Sequence, residues 1–198
     1  MIIEECADPV IQPPRRVPHG LQDRLKEKLD QMEHNRIISK TDEPAIWVNS
    51  LVTVEKKDCS LRLCLDPKDL NSVIRREHFE IPTLGSLGGK KYFTVLDQKD
   101  SYWQVPLSEE SCYLCTLSTP FGRCGFLRLP FRTCSASEVL EKRGYKVYGD
   151  MQDMQGVEVI ADDMIITGAS GGAWSTVEKC DAKGKRTKCE VQSQKDPV

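Results

Sequence analysis

Apolar residues recur at helical spacing in the N-terminal part of the chain. Leu25, Leu29 and Met32 are separated by three or four positions among Lys, Glu, Asp and Gln residues, so they share one face of a helix. This spacing predicts an amphipathic helix over 21–34. The preceding residues 9–18 contain four prolines, which lack the N–H that a helix interior needs. We therefore predict an extended lead-in before the helix.

The next segment has two β-prone runs separated by a turn sequence, which predicts a hairpin. Two β-prone runs, 47–54 and 61–65, flank the turn sequence Lys-Asp-Cys-Ser. Successive side chains of a strand point to opposite faces, so the three leucines of the second run share one face. Arg62, Cys64 and Asp66 point to the other face, which displays a basic side chain beside the turn.

Three further β-prone runs have an aspartate at or beside one of their two ends. KYFTVLD ends on Asp97. VEVI and MIIT lie on either side of the sequence Ala-Asp-Asp, which is typical of a tight hairpin turn. This arrangement places Asp162 and Asp163 at a hairpin tip.

Two segments complete the pattern. The sequence Ser-Ala-Ser-Glu has capping-box spacing and predicts a helix over 135–148, in which Gly144 costs about 1 kcal/mol of helix stability. Beyond residue 168 the apolar periodicity gives way to glycine, lysine and other polar residues. We therefore predict a disordered or degenerate tail over 169–198.

Length and composition limit the class of protein. The 198 residues, 39% of them apolar, suffice for one domain with a tail. Residues 1–10 carry three acids where a signal peptide would carry basic residues and then an apolar run. No run approaches the roughly 18 apolar residues of a transmembrane helix. We expect a cytoplasmic or nuclear protein that is not secreted and has no membrane partner.

The charge pattern bears on nucleic-acid binding. A formal net charge of -2 gives no overall attraction to phosphate, on which such binding largely depends. Lysines and arginines gather between residues 56 and 76, with acidic residues interleaved among them. Any contact with phosphate must therefore be local, and a solvated mixed-charge face is the alternative interpretation.

Nine cysteines in a chain without a secretory route are expected to stay reduced. Cys112 and Cys115 form a CxxC, which Cys124 and Cys134 would extend to a four-thiolate zinc site, so a zinc-binding module is one hypothesis. No second CxxC or HxxxH pair completes that pattern. Buried or half-buried free thiols are the preferred interpretation.

The aspartates at the strand ends are candidate metal ligands. Asp162 and Asp163 alone are what turn propensity produces, but Asp97 also ends an apolar strand, and acids from two strand ends can converge. Mg²⁺ prefers oxygen ligands such as carboxylates. Two such ions about 4 Å apart activate an attacking 3′-hydroxyl and stabilise a leaving pyrophosphate. The alternative, acids that simply end strands in solvent, is compatible with the same spacing.

Several segments together resemble one protein family. They are the proline-rich lead-in, WVNSLVTVEKKDCSLRLCLDPKDLN (47–71), VLDQKDSYWQVPL (95–107), TPFGRCGFLRLPF (119–131) and VEVIADDMII (157–166). In this order they resemble the reverse transcriptase, an RNA-directed DNA polymerase, of gypsy-type long-terminal-repeat retrotransposons. The resemblance runs from about residue 13 to residue 168, so we expect a truncated fragment of a retrotransposon pol polyprotein.

The resemblance implies an α+β fold. It is the palm and fingers of a right-hand polymerase, with an antiparallel palm sheet, packed helices and the thumb absent. The implied parts are fingers at 11–75 and 105–135, palm at 76–104 and 136–168, and the tail at 169–198.

The resemblance also implies roles for individual residues. Asp97, Asp162 and Asp163 match the catalytic aspartates, which hold two Mg²⁺ ions, or Mn²⁺ in their place. The implied nucleotide contacts are Arg62 and Lys57 with the triphosphate, Lys57 being only slightly preferred to Lys56, Tyr102 against the sugar 2′ carbon, and Phe131 and Gln104 in the pocket.

Departures from the family pattern bear on activity. Arg132 stands where the family usually has glycine, which affects how closely the backbone approaches a nucleotide. Ile160 stands where many reverse transcriptases have tyrosine. Nothing in the chain resembles the thumb or the ribonuclease H of a longer polyprotein.

Two functions follow from the resemblance. The first is template-directed addition of deoxynucleotides to a primer 3′ end by two-metal catalysis, with an RNA or DNA template, a primer and dNTPs as partners. The alternative is a catalytically inactive, degenerate retroelement relic with at most weak nucleic-acid binding.

Overall fold

The described part of the chain folds into two units, each made of two stretches. A computed structural model describes residues 1–79, 92–152, 157–160, 162–168 and 187–192. Unit 1 comprises Met1–Arg76 with Tyr102–Ala136, and unit 2 comprises Glu77–Ser101 with Ser137–Val198. Each unit contains a sheet in which antiparallel pairing dominates, together with helices. The fold is therefore mixed helix and sheet.

Helices and strands alternate irregularly along the chain. In order they are α1 (His19–His34), β1 (Ile38–Lys40), β2 (Asn49–Glu55), β3 (Leu61–Asp66), α2 (Lys68–Asn71), β4 (Tyr92–Gln98), α3 (Glu109–Leu114), β5 (Thr116–Thr119), β6 (Gly122–Phe126), α4 (Ala136–Gln152), β7 (Val157–Ile160), β8 (Asp163–Gly168) and β9 (Thr187–Gln192). A short 3-10 helix, Ser101–Gln104, follows β4.

The first helix is amphipathic, as predicted. Leu25, Leu29 and Met32 are buried and lie about one turn apart, so one face of α1 joins the core of unit 1. The charged residues between them stay in solvent. The prediction of a helix over 21–34 is confirmed, with two further residues at its start.

The proline-rich lead-in is extended, which is also confirmed. The Gln12 N–H donates to the Val48 carbonyl at 2.7 Å, and the Val48 N–H donates to the Val10 carbonyl at 3.0 Å. The lead-in is therefore fixed beside the start of β2. Pro18 follows as the N-cap residue of α1, where proline removes no intrahelical hydrogen bond.

Unit 1 is organised around a five-stranded sheet in the order β1-β6-β5-β2-β3. Only β2 and β5 are parallel among these neighbours. The predicted hairpin is present, with Val54 opposite Arg62 and Glu55 opposite Leu61. Large side chains fill the core beneath the sheet, among them Trp47, Leu63, Leu65, Leu70, Leu117 and Phe126.

Unit 2 contains a four-stranded antiparallel sheet in the order β7-β8-β4-β9. The predicted strands ending on or beside aspartates are β4, β7 and β8. Their apolar residues form a second core that includes Leu96, Val157, Val159, Met164 and Ile166.

The strand β9 corrects the prediction of a disordered or degenerate tail. Residues 187–192 pair along the whole of β4 except its first residue, and Lys188 lies opposite Asp97 in register. The sequence here lacks a strong apolar alternation, so the edge of β4, and not local pattern, accounts for the pairing. The other residues of the tail, 169–186 and 193–198, lie outside the described part of the chain.

The predicted helix over 135–148 is α4, which extends to Gln152. A methyl group added at Gly144 would lie 3.5 Å from Val159 Cγ1, so the helix passes close to β7 there. The segment before β4 is joined to α4, because the Glu138 carboxylate accepts a hydrogen bond from the Glu77 N–H at 3.1 Å. Lys142 Nζ also lies 2.6 Å from Glu77 Oε2.

The CxxC segment is a helix followed by a strand. Ser108 caps α3 by accepting from the Ser111 N–H, and the chain enters β5 after Cys115. Burial raises the pKa of the Cys115 thiol, and burial raises the pKa of Cys124 to about 11. Both cysteines are therefore thiols at neutral pH, which a zinc site would have to deprotonate. No helix in the described ranges has the length and apolar character needed to cross a membrane.

Candidate active site

The aspartates of unit 2 meet at one end of its sheet. Asp97 on β4 lies directly opposite Asp163 on β8, and Ile160 on β7 lies on the other side of Asp163. Directly opposed residues of antiparallel strands have Cβ atoms about 4.5–5.5 Å apart and side chains on the same face. The two carboxylates are therefore neighbours because of strand register alone.

The third aspartate is held in place by the backbone. The carbonyl of Asp162 accepts a hydrogen bond from the N–H of Gln98 at 2.9 Å. Because Gln98 follows Asp97, this bond fixes the β7–β8 turn at the end of β4. All three predicted aspartates are thus brought together, although Asp163 begins β8 and does not lie in the turn as predicted.

The electrostatics of this cluster are unfavourable without a cation. Partial burial raises the pKa of Asp163, and the charges of Asp162 and then of Asp97 raise it further. Like charges at short range disfavour ionisation. A bound cation would reverse the sign of this interaction, so the set of donors fits a hard divalent ion.

The side chains do not converge on one point as they stand. Within the described part of the chain, no group of three or more His, Cys, Asp or Glu side chains is arranged to hold a metal ion. Asp97 is exposed and both Asp162 and Asp163 are half-buried, so solvent reaches all three residues. The backbone places the ligands near one another, and side-chain rotation would have to complete the coordination.

A second cluster lies in unit 1 around Phe131. The guanidinium carbon of Arg62 lies 5.2 Å from the centre of the Phe131 ring, within the range of a cation–π interaction. The Tyr102 ring meets Phe131 edge-on at 6.5 Å, and the Trp103 ring is tilted against it at 6.3 Å. Three predicted nucleotide contacts, Arg62, Tyr102 and Phe131, are thus brought together.

Lys57 and Gln104 are placed next to elements of this cluster. Lys57 is exposed in the turn of the β2–β3 hairpin, where the Asp58 carboxylate accepts from the backbone N–H of Ser60 at 2.9 Å. Gln104 is half-buried and ends the 3-10 helix that carries Tyr102. The prediction that both contact a nucleotide stays a prediction.

The loop after Phe131 is held by a residue that sequence reasoning missed. Arg132 has φ +78°, a conformation that favours glycine. The Asn71 side chain braces it, because Nδ2 donates to the Arg132 carbonyl at 2.9 Å and Oδ1 accepts from the Cys134 N–H at 2.9 Å. Asn71 lies at the end of α2, far away in sequence, so no local pattern identifies it. Trp103 was missed because an aromatic beside Tyr102 is equally typical of a core.

Asp66 connects this loop to the N-terminal lead-in. Its carboxylate pairs with Arg15 and lies 4.0 Å from the Arg132 guanidinium. Cys64, two residues earlier on the same strand face, is only 5% exposed. The prediction that Arg62 points to solvent is confirmed, whereas Cys64, on the same side of β3, is buried.

Comparison with known proteins identifies a family. No family model matches the chain. An uncharacterized protein of Caenorhabditis elegans is 31% identical over 173 residues, which are 84% of this chain and 13% of that protein. The retrovirus-related Pol polyprotein from the Drosophila melanogaster transposon opus is 28% identical over 142 residues, 68% of this chain and 14% of that protein. The corresponding polyprotein from transposon gypsy is 29% identical over 136 residues, 62% of this chain and 13% of that protein.

The chain is a relative of retroelement Pol polyproteins. It spans 13% of the length of the first of these relatives and 14% of the second. The Pol relationship confirms the resemblance to gypsy-type retrotransposons that the motifs indicated.

Solved structures show what fold this Pol relative has. A foamy viral protease-reverse transcriptase in complex with an RNA/DNA hybrid matches with a TM-score of 0.74 at 14% identity, over 90% of this chain and 24% of that one. Native prototype foamy virus protease-reverse transcriptase matches with a TM-score of 0.73 at 17% identity, over 93% of this chain and 25% of that one. The chain therefore shares a fold with part of these enzymes.

Proposed function

We propose that this chain carries the fingers and palm of a reverse transcriptase and adds deoxynucleotides to a primer 3′ end. Unit 1 would correspond to the fingers and unit 2 to the palm. The observation that carries the proposal is the register of β4 against β8, which makes Asp97 and Asp163 direct neighbours. The turn bond from Gln98 to Asp162 brings in the third acid.

The metal requirement follows from the donor set. Asp97, Asp162 and Asp163 would hold two Mg²⁺ ions, for which Mn²⁺ is a substitute. When bound, these ions lower the barrier to attack by the primer 3′-hydroxyl and neutralise the leaving pyrophosphate. The protein contributes carboxylates on rigid strand ends, with one backbone hydrogen bond fixing the turn that carries Asp162.

The cluster around Phe131 would bind the incoming nucleotide. Arg62 offers a guanidinium, which suits phosphate because it donates two parallel hydrogen bonds, and Lys57 would add a second cation. Tyr102 and Phe131 present an aromatic surface that excludes water from the sugar, with Tyr102 placed to disfavour a 2′-hydroxyl. Gln104 would line the same pocket.

Nucleic acid is the proposed partner. The foamy viral enzymes that share this fold were solved with double-stranded DNA and with an RNA/DNA hybrid. We therefore expect a primer paired with an RNA or DNA template, with dNTPs as co-substrates. A thumb and a ribonuclease H from a longer polyprotein would increase grip on the duplex.

The alternative is a catalytically inactive relic. One observation favours it, the arginine at position 132, which has φ +78° where the family usually has glycine. Such a chain would keep the fold and at most a weak affinity for nucleic acid.

Primer extension tests the proposal. A labelled DNA primer on an RNA template is incubated with the purified chain, Mg²⁺ and dNTPs, in parallel with Asp162→Asn and with Asp23→Asn as the matched control. Asp23 is exposed on α1 and lies outside both clusters. We expect extension by the wild type and by Asp23→Asn, and a loss of at least about a hundredfold for Asp162→Asn. No extension by folded wild-type protein would establish the relic.

A further inference from the structure

Arg132 keeps a backbone path that a glycine would take. At φ +78° a residue with a Cβ is strained, because the Cβ lies close to the following carbonyl oxygen. The loop holds this conformation because Asn71 bonds both the Arg132 carbonyl and the Cys134 N–H at 2.9 Å. The Thr133 hydroxyl also donates to the Pro130 carbonyl at 3.1 Å. The arginine therefore adds a guanidinium group to the loop and leaves its backbone conformation unchanged.

The Arg132 side chain makes one long ion pair and is about half exposed. Its guanidinium is 4.0 Å from Asp66, and its side chain is 49% exposed. Asp66 is paired more closely with Arg15, so its charge is already compensated. An exposed ion pair at this distance contributes little to stability, and less than a guanidinium gains from charge-assisted hydrogen bonds to a phosphate.

Arg132 and Arg62 approach the same patch of surface. Arg62 lies over the ring of Phe131, the residue before Arg132. Burial raises the pKa of the Cys64 thiol, and the charges of Arg132 and Arg62 oppose that shift, so both guanidinium groups lie near this residue of β3. With Arg15 paired to Asp66, the two positive charges lie beside the half-buried ring of Phe131.

We propose that Arg132 is a second guanidinium ligand for the polyphosphate of a nucleotide, acting together with Arg62. On binding, Arg132 exchanges its long contact with Asp66 for two hydrogen bonds to phosphate oxygens. Asp66 is then a competitor that holds Arg132 in the absence of ligand. The identity of the ligand as a nucleotide rests on the function proposed above, whereas the affinity for polyphosphate does not.

The test is equilibrium binding of inorganic tripolyphosphate, and separately of dATP, to the full chain by isothermal titration calorimetry at low salt. The variants are Arg132→Gln, Arg132→Gly, Asp66→Asn and Arg62→Gln, with folding checked by circular dichroism. We expect Arg132→Gln and Arg132→Gly to weaken tripolyphosphate binding by at least about tenfold. Asp66→Asn should tighten it, because it frees Arg132.

Arg132→Gly controls for loss of structure, because glycine relieves the backbone strain and should not unfold the loop. Weaker binding by this variant is therefore due to the missing guanidinium. Tripolyphosphate binding by Arg132→Gly that equals or exceeds that of the wild type would overturn the proposal. If Arg62→Gln abolishes binding while both Arg132 variants bind normally, only the role of Arg132 fails. If Arg62→Gln also binds normally, the nucleotide pocket of the proposed function fails with it.

Discussion

At the scale of single residues, the clustering of the three aspartates should lower the stability of the folded chain and at the same time favour the binding of a cation. Asp163 carries a raised pKa because it is partly buried and lies near Asp162 and Asp97. A folded-state pKa above the unfolded value means that the folded chain binds more protons than the unfolded chain in the interval between the two. Stability is therefore lost as the pH rises through that interval.

Asp163→Asn should be more stable than the wild type at pH 7 when no divalent ion is present. The difference should shrink as the pH falls toward the unfolded value of 3.8 and vanish below it, because the wild-type carboxyl is then protonated in both states. Chemical denaturation at pH 4, 5.5 and 7 measures it. A wild type that gains stability relative to the variant as the pH rises would contradict the predicted direction of the pH dependence.

Mg²⁺ should stabilise the wild type more than Asp163→Asn, which is the opposite of the difference expected without a divalent ion. A ligand that binds only the folded state stabilises it by an amount that grows with its concentration. Millimolar Mg²⁺ at pH 7 should therefore raise the melting temperature of the wild type more than that of Asp163→Asn. Equal increases for both proteins would mean that the ion binds elsewhere.

At the scale of elements, the spacing of apolar and polar residues within short segments predicted most of the elements that depend on such spacing alone. The apolar stripe of α1, the β2–β3 hairpin and the acids at the end of the β7–β8 hairpin all follow from spacing within about 15 residues. The strand β9 does not, because its pairing depends on the open edge of β4. Nor does the burial of Cys64, since alternation gives the face of a strand and says nothing about what covers that face.

Gly144 offers a test of how α4 packs on β7. A methyl group at this position would meet Val159 Cγ1 at 3.5 Å, an ordinary van der Waals contact. Gly144→Ala should therefore stabilise unit 2 by about 0.5–1 kcal/mol, because alanine loses less backbone entropy in a helix. Urea denaturation measures the change, and destabilisation would mean that the helix approaches the sheet more closely than described.

At the scale of the whole molecule, the chain divides its candidate chemistry between two units. The carboxylates lie in unit 2, whereas Arg62, Phe131 and Tyr102 lie in unit 1. Sequence motifs identified residues in both units, because each motif is a short segment. They could not identify Asn71 or Trp103, whose roles arise from contacts with the Phe131 loop.

Asp97, Asp162 and Asp163 are proposed to form one cation site, although their side chains do not converge on one point. Paramagnetic Mn²⁺, added below one equivalent to ¹⁵N-labelled protein, broadens amide resonances near the ion and tests this directly. We predict broadening first at the amides of these three aspartates and of Gln98, and its loss in Asp163→Asn. Broadening spread evenly over surface acids, with no preference for the ends of β4 and β8, would contradict the claim.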